Sequence, residues 1–395
     1  MTDCCIIGGG IIGLSIAREL AGRGLSVQVL ARDHNRETAS WAAAGIFPPA
    51  AFFPGCSPGA ALTAWSDRLH REWSRQLRDE TGIDNELLAC GGLHVAASEK
   101  AVGRLRAAAA DWRKKGAACD WLDGRDVADR EPALGGAVDR GEILAGYLLP
   151  EEMSIRPPRH LEALLESCRR RGVVITPATE VSAISVANGR IEGIATSAGF
   201  VQAGAYCLAA GAWSEALARP LGLQIQTRPI RGQIVLLRLP LQILSRVVNL
   251  GLEYLVPRED GHLLVGSTLE DAGFDATTQG AAVERLLQVA HNLLGALPDA
   301  RMEQAWAGLR PGSADGLPSL GRISGISNAF VAAGHFRAGL HQSTGTAVLL
   351  ADLIAGTAPA IDPTPFDPGR VIASDTTSHP DSVDAYLARA AAEAV

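Results

Sequence analysis

No apolar run in the 395-residue chain approaches the length of a membrane span, so integral membrane association is not expected. Positive charge is in deficit: 36 Lys and Arg face 43 Asp and Glu, a net charge of −7, which argues against nucleic acid as a partner. Seven cysteines, an odd number without metal-ligand spacing, give neither a disulfide framework nor a metal centre. Cys4 and Cys5 lie in an apolar run and read as core, and reduced thiols in a cytoplasm are the expectation. No signal peptide is expected, since the first strand begins within a few residues of Met1. There is no internal repeat, and no His/Asp constellation suited to acid–base or nucleophilic catalysis. What is there, 47% hydrophobic and 20% charged, is ordinary globular chain, long enough for two domains.

The stretch with the most information is Cys4-Cys5-Ile6-Ile7-Gly8-Gly9-Gly10-Ile11-Ile12-Gly13. Gly8, Gly10 and Gly13 have G-x-G-x-x-G spacing: the first for a tight turn, the second for close approach to a pyrophosphate, the third for helix–strand packing. Ile12, Ile16 and Leu20 recur at helical spacing, Gly24 stops the helix, and Val27-Gln28-Val29-Leu30 reads as a second strand. A complete β-α-β unit therefore opens the chain, with a helix N-terminus aimed at phosphate. The carboxylate expected at the tip of the second strand is missing; Ala31 stands there, followed by Arg32 and Asp33. Asp33, a backbone group, or no group at all could serve the ribose, and Arg32 raises NADP as a lesser alternative.

Further on, residues 37–49 are dense in small side chains, which suits close approach to something flat or phosphorylated, or a tight helix–helix contact. Trp65, Leu69, Trp73 and Leu77 mark an amphipathic helix, residues 92–97 a strand with His94 as a surface or packing residue, and residues 101–115 a helix. Residues 123–150 read as turn-rich. A helix is expected over 158–171, strands at 173–176 and 205–211, and a hairpin about Asn188-Gly189. Residues 230–268 alternate as an antiparallel sheet, 281–295 and 344–354 read as helices, 357–380 as a connector, and 384–394 as a short, poorly anchored helix.

Taken with Thr38 to Gly45, Ala209-Ala210-Gly211-Ala212-Trp213-Ser214, Tyr254-Leu255-Val256-Pro257-Arg258, Ala307 to Pro318 and Gly334-His335-Phe336-Arg337, the chain from about residue 4 to 355 resembles the FAD-dependent D-amino acid oxidase superfamily, and within it the ThiO-like glycine oxidases of thiamine biosynthesis. The resemblance implies an α/β fold. A Rossmann-like FAD-binding domain (1–84, 150–215 and 310–360) would be interleaved with an antiparallel-sheet substrate domain (85–149 and 216–309), leaving 361–395 as a tail. It implies FAD as the cofactor and no metal. The pyrophosphate would lie over Gly8, Gly10, Ile11, Ile12 and Gly13, with Arg32 at the strand tip; Ala39, Ser40, Ala44, Gly45 and Ile46 would line phosphates and flavin edge. Val181 would meet the adenine, and His335, Phe336, Arg337, Ala338, Gly339, Leu340 and His341 would pass along the flavin pyrimidine. Arg310 would clamp the substrate carboxylate, with Tyr254 and Arg337 nearby.

On its own residues Arg310 could instead be a salt-bridged loop arginine, Tyr254 a core residue, Arg337 a brace for the flavin loop, and His335 reads as structural. Departures from the family fall at Ala31, Ala338, Leu269 and the run Leu340-His341-Gln342-Ser343, and nothing marks His341 as a covalent flavin link. The resemblance implies oxidative deamination of glycine or a small amino acid by molecular oxygen, with a homo-oligomer possible. A D-amino acid or sarcosine-type dehydrogenase with another electron acceptor, or a non-catalytic flavin-binding subunit, are the rival readings.

Overall fold

The computed structural model describes residues 2–32, 38–297, 299–372 and 381–393. Strand β1 (Thr2–Ile7) is buried from Cys4 onward, because it lies between two parallel neighbours: β2 (Val27–Leu30) and the strand Ala203–Leu208. Val174–Thr176 extends the sheet beyond β2, and Ala329–Ala333 with the antiparallel edge strand Ser319–Arg322 extends it on the other side, giving six strands. Helix α1 (Ile11–Gly22), with Pro58–Thr81, Pro157–Arg170 and Ser343–Ala355, covers one face. The other face is closed by the meander 181–201, whose hairpin turns at Asn188 and Gly189 with φ of 51° and 66°, as an Asn-Gly turn requires.

The second sheet has eight strands: Arg301–Ser313, Thr227–Arg238, His262–Gly266, Glu253–Pro257, Val247–Leu250, Gly92–Ala96, Ala145–Leu149 and Asp120–Asp123. It is antiparallel except where Val247–Leu250 runs parallel to Gly92–Ala96. One face packs on the helix Gly280–Leu294 and on Val127 and Leu134; the other, with Ile234, Tyr254, Val256 and Leu264, turns toward Ala44 and Ile46.

Three expectations need correction. Residues 123–150 are not mainly turns: Asp123 caps a helix Gly124–Arg130 with a reciprocal capping box, Gly135–Asp139 is a second short helix, and Ala145–Leu149 is a fully buried strand. Arg310 is not in a loop but inside Arg301–Ser313, paired with Ile230, so the expected boundary at 309/310 cuts a continuous strand. The terminal helix Val383–Glu393 is anchored: Val383 and Ser382 are fully buried, and Val383 fills the space over Gly312.

Candidate active site

The turn after β1 is shaped by backbone crowding. Gly8 has φ of 127°, and a Cβ there would meet the Ala209 carbonyl oxygen at 2.2 Å; one on Gly13 would meet the Gly8 carbonyl oxygen at 1.9 Å. Gly10 has only Ser40 Oγ near its missing Cβ, and Ser40 Oγ accepts from Ile11 N at 2.9 Å. The opening turn of α1, with Gly8, Gly10, Ile11 and Ile12 in the wall, thus faces a cavity of about 1270 Å³, a cradle suited to phosphate. Gly13 lies outside the cavity lining and serves helix–strand packing. The other sequence-derived site residues, from Gly8 through Val181, Tyr254 and Arg310 to His341, all line this one cavity.

Segment 38–47 crosses between the sheets with the cavity on one side. It is tightly packed on both sides: a Cβ on Gly308 of the second sheet would come within 2.6 Å of Ala42 Cβ, and one on Gly45 within 2.1 Å of the Ile155 carbonyl oxygen. Two side chains that sequence reasoning gave no role fix this segment. Trp306 Nε1 donates to the Ala42 carbonyl at 3.2 Å, and buried Arg258 donates to the carbonyls of Ala44 at 2.9 Å and Ile155 at 3.1 Å. Burial pulls the Arg258 guanidinium down to about 10. Its presence in Tyr-Leu-Val-Pro-Arg was the only available signal, since its partners are backbone atoms far away in sequence.

Arg310 lies flat across Gly232, where a Cβ would meet Nη1 at 1.9 Å. Nη2 donates to Ser267 Oγ at 2.8 Å and Nη1 to the Thr268 carbonyl at 3.3 Å. Desolvation lowers its pKa to about 10, with Arg337 pushing the same way and Tyr254 opposing, so it stays charged at neutral pH. Tyr254 in turn lies over Gly266, whose Cβ would be 2.7 Å from the ring. Arg310 and Tyr254 are therefore brought together. Arg337 lines the same cavity but is exposed, its guanidinium 5.1 Å from the Tyr386 ring. Tyr386, from the terminal helix, joins the cavity wall, which no motif indicated.

His335 Nε2 lies 3.0 Å from Thr346 Oγ1, and burial drops its pKa to about 3, which keeps the ring neutral. Phe336 holds a φ of 48° with its N–H on the Pro311 carbonyl at 2.8 Å. His341 stacks on Phe47 at 4.3 Å, with Nε2 3.0 Å from Asp67 Oδ1. Arg32 spreads its guanidinium over the Trp213 ring at 4.1 Å. Ala31 is buried, its Cβ 2.6 Å from where a Cβ of Gly9 would be. Asp33 lies outside the described residues. Among these residues there is no group of three or more side chains able to hold a metal, and no helix is long and apolar enough to cross a membrane.

A dinucleotide cradle and a desolvated arginine sharing one cavity define a cofactor-dependent enzyme for small anionic substrates, and the comparisons agree. The family described as FAD dependent oxidoreductase matches residues 3–353, and the chain belongs to it. It is 35% identical over 365 residues to the glycine oxidase of Pseudomonas aeruginosa, covering 92% of this chain and 97% of that one. The bifunctional protein ThiO/ThiG of a Nostoc species is 33% identical over 358 residues, 89% of this chain and 52% of that protein. The crystal structure of glycine oxidase from Geobacillus kaustophilus superposes with a TM-score of 0.88 at 31% identity, covering 94% of this chain and 99% of that chain. The cofactor is FAD, and the helix N-terminus in the cavity wall, the Gly8–Gly10 cradle and the size of the cavity fit it.

Proposed function

We propose that this protein oxidatively deaminates glycine, or another small amino acid, to the α-keto acid, ammonia and hydrogen peroxide. The observation that carries this reading is Arg310: a charged guanidinium held over Gly232, desolvated, beside Tyr254, in the cavity that also contains the phosphate cradle. Its fork pairs with a carboxylate bidentately and fixes Cα of the amino acid. FAD, when bound, supplies the two-electron acceptor and passes the electrons to oxygen.

The chain's own part is position and electrostatics. Arg310 and Tyr254 hold the carboxylate, the segment fixed by Arg258 and Trp306 walls the site, and His335, kept neutral by burial, braces the loop through Thr346. The amine reacts unprotonated; loss of hydride from Cα and a proton from nitrogen gives an imine, which water converts to glyoxylate and ammonia. Residues 1–84, 150–215 and 310–360 hold the cofactor in this reading and 85–149 with 216–309 the substrate, while strand Arg301–Ser313 joins the two. A role in thiamine biosynthesis rests on the likeness to ThiO.

Anaerobic glycine added to purified holoenzyme is expected to bleach the flavin, and readmitted oxygen to restore it with one peroxide per turnover. A flavin that glycine leaves oxidised, alongside a tested panel of small amino acids, would refute the activity. Reduction without reoxidation by oxygen would make the protein a dehydrogenase.

A further inference from the structure

The sheet face that carries Arg310 does not end at Tyr254. Register aligns Gly266, Tyr254, Asn249, His94 and Tyr147 as direct neighbours on successive strands. Directly paired residues share a face, so these form one row, and Asn249 and His94 line the same cavity as Arg310. Beside them is Glu152, 0% exposed. It occupies the space over Gly92, where a Cβ would be 2.0 Å from Oε1. The arrangement repeats the design at the other end of the row: a functional side chain seated on a glycine of the sheet.

Oε1 of Glu152 accepts from Asn249 Nδ2 at 3.1 Å, and Oε2 is 3.1 Å from His94 Nε2. An ionised carboxylate only accepts, so both neighbours turn their N–H groups to it. The Asn249 carbonyl oxygen is thereby directed away from Glu152. His94 is kept in place by stacking on Tyr147 at 4.6 Å. Among the described residues the only ionic partner of Glu152 is His94, not a fixed cation. A carboxylate buried with so little compensation is costly unless something else meets it. The lysine in the cavity wall, Lys115, is paired with Asp111 at 2.6 Å.

We infer that this row is an extended substrate subsite for a cationic tail. With the carboxylate on Arg310, as the proposed function requires, a terminal ammonium docks at Asn249 and His94 over Glu152. Strands are spaced about 4.8 Å apart, so from Gly232, under the Arg310 guanidinium, Asn249 is three strands and His94 four strands away, about 14 and 19 Å; an extended chain of about six bonds between carboxylate and amine, with a hydrogen bond at each end, reaches the Asn249 side chain, whose Nδ2 is 3.3 Å from His94 Nε2. The substrate class is an amino acid, or a glycine substituted on nitrogen, that carries a second amine at the end of a short aliphatic chain. A second carboxylate in that place would be repelled by Glu152.

The test is calorimetric titration of the FAD-loaded protein with 6-aminohexanoate, hexanoate and adipate, none of which has an α-amine to oxidise. A charged hydrogen-bonded pair predicts 6-aminohexanoate at least about tenfold tighter than hexanoate, with adipate weakest. Glu152→Gln is expected to erase most of that ratio. Should that variant fail to load FAD, chain length decides in the wild-type protein: the advantage of the amino acid over its parent acid is expected to be largest for 6-aminohexanoate and nearly absent for 3-aminopropanoate over propanoate, which also lacks an α-amine and whose amine cannot reach Asn249. Equal binding of 6-aminohexanoate and hexanoate, tightest binding of adipate, or a ratio unchanged in Glu152→Gln overturns the subsite. The two proposals fail separately: a protein that shows the expected ratio but is not reduced by glycine loses the oxidase reading and keeps the subsite.

Discussion

Replacing Arg310 with alanine removes the guanidinium that Ser267 Oγ and the Thr268 carbonyl hold over Gly232. In the proposed function the site is built around that charge, and burial lowers its pKa to about 10. A substrate carboxylate entering the same space without it is desolvated and unpaired. Truncating one partner of such a pair costs about 2–5 kcal/mol, or roughly 30- to 5000-fold in affinity. Arg310→Lys keeps the charge but has one ammonium where a planar fork bridged Ser267, Thr268 and substrate, so Cα is misplaced and reduction slows as well as binding weakening. The FAD cradle is built from other residues, so both variants are expected to retain cofactor. The assay is anaerobic flavin reduction across glycine concentrations, with FAD content measured after denaturation. If Arg310→Ala is reduced with wild-type rate and affinity, the clamp is elsewhere, and Arg337 is the next residue to replace.

Gly232→Ala places a methyl 1.9 Å from Arg310 Nη1 and is expected to raise the glycine concentration for half-reduction at least about tenfold while FAD stays bound; an unchanged value would mean the guanidinium position is unimportant. Ala31→Glu, which supplies the family's usual ribose partner, is expected to leave FAD affinity equal or better by equilibrium dialysis, and a large loss would show that the strand tip is arranged otherwise. Inhibition by acetate should follow the Arg310 charge: full below pH 10 and falling as pH rises through about 10, because the free protein then holds the guanidine neutral; the limb should persist in Tyr254→Phe, and its absence would mean Arg310 does not titrate there. Phe336→Gly and Phe336→Ala both lose the ring contact with Tyr386, at 5.3 Å, but only Gly is at ease at a φ of 48°, so Phe336→Gly is expected to melt above Phe336→Ala, and equal or lower melting would mean no strain is held there.

The cofactor end of the molecule was legible because its physics is local: three glycines, a helix and two strands within thirty residues leave few alternatives. Arg310 was legible only as a residue type in a motif. Its place in a strand was hidden by Pro311 and Gly312, which read as turn residues, although the long pairing with Thr227–Arg238 holds them in the sheet. Arg258 and Trp306 bond to backbone more than one hundred residues away, which no pattern in sequence records. Glu152 lay just past the stretch read as turn-rich, in a run given no element, and its meaning depends on a parallel pair in a sheet expected to be antiparallel. The anchoring of Val383–Glu393 depends on a notch over Gly312, a tertiary feature outside any helix rule.

The buried thiols acquire a second significance beside an enzyme that releases hydrogen peroxide. Peroxide attacks thiolates, and burial pushes Cys5, Cys168 and Cys207 up to about 12 and Cys4 well above its ordinary value. At pH 7 a thiol of pKa 12 is ionised about once in 10⁵ molecules, so the sheet core beneath the site is chemically quiet toward the product formed above it. Cys56 is placed differently: it lines the cavity itself and is partly exposed. Wear on this protein over many turnovers should therefore begin at Cys56, on the cavity wall, long before it reaches the core.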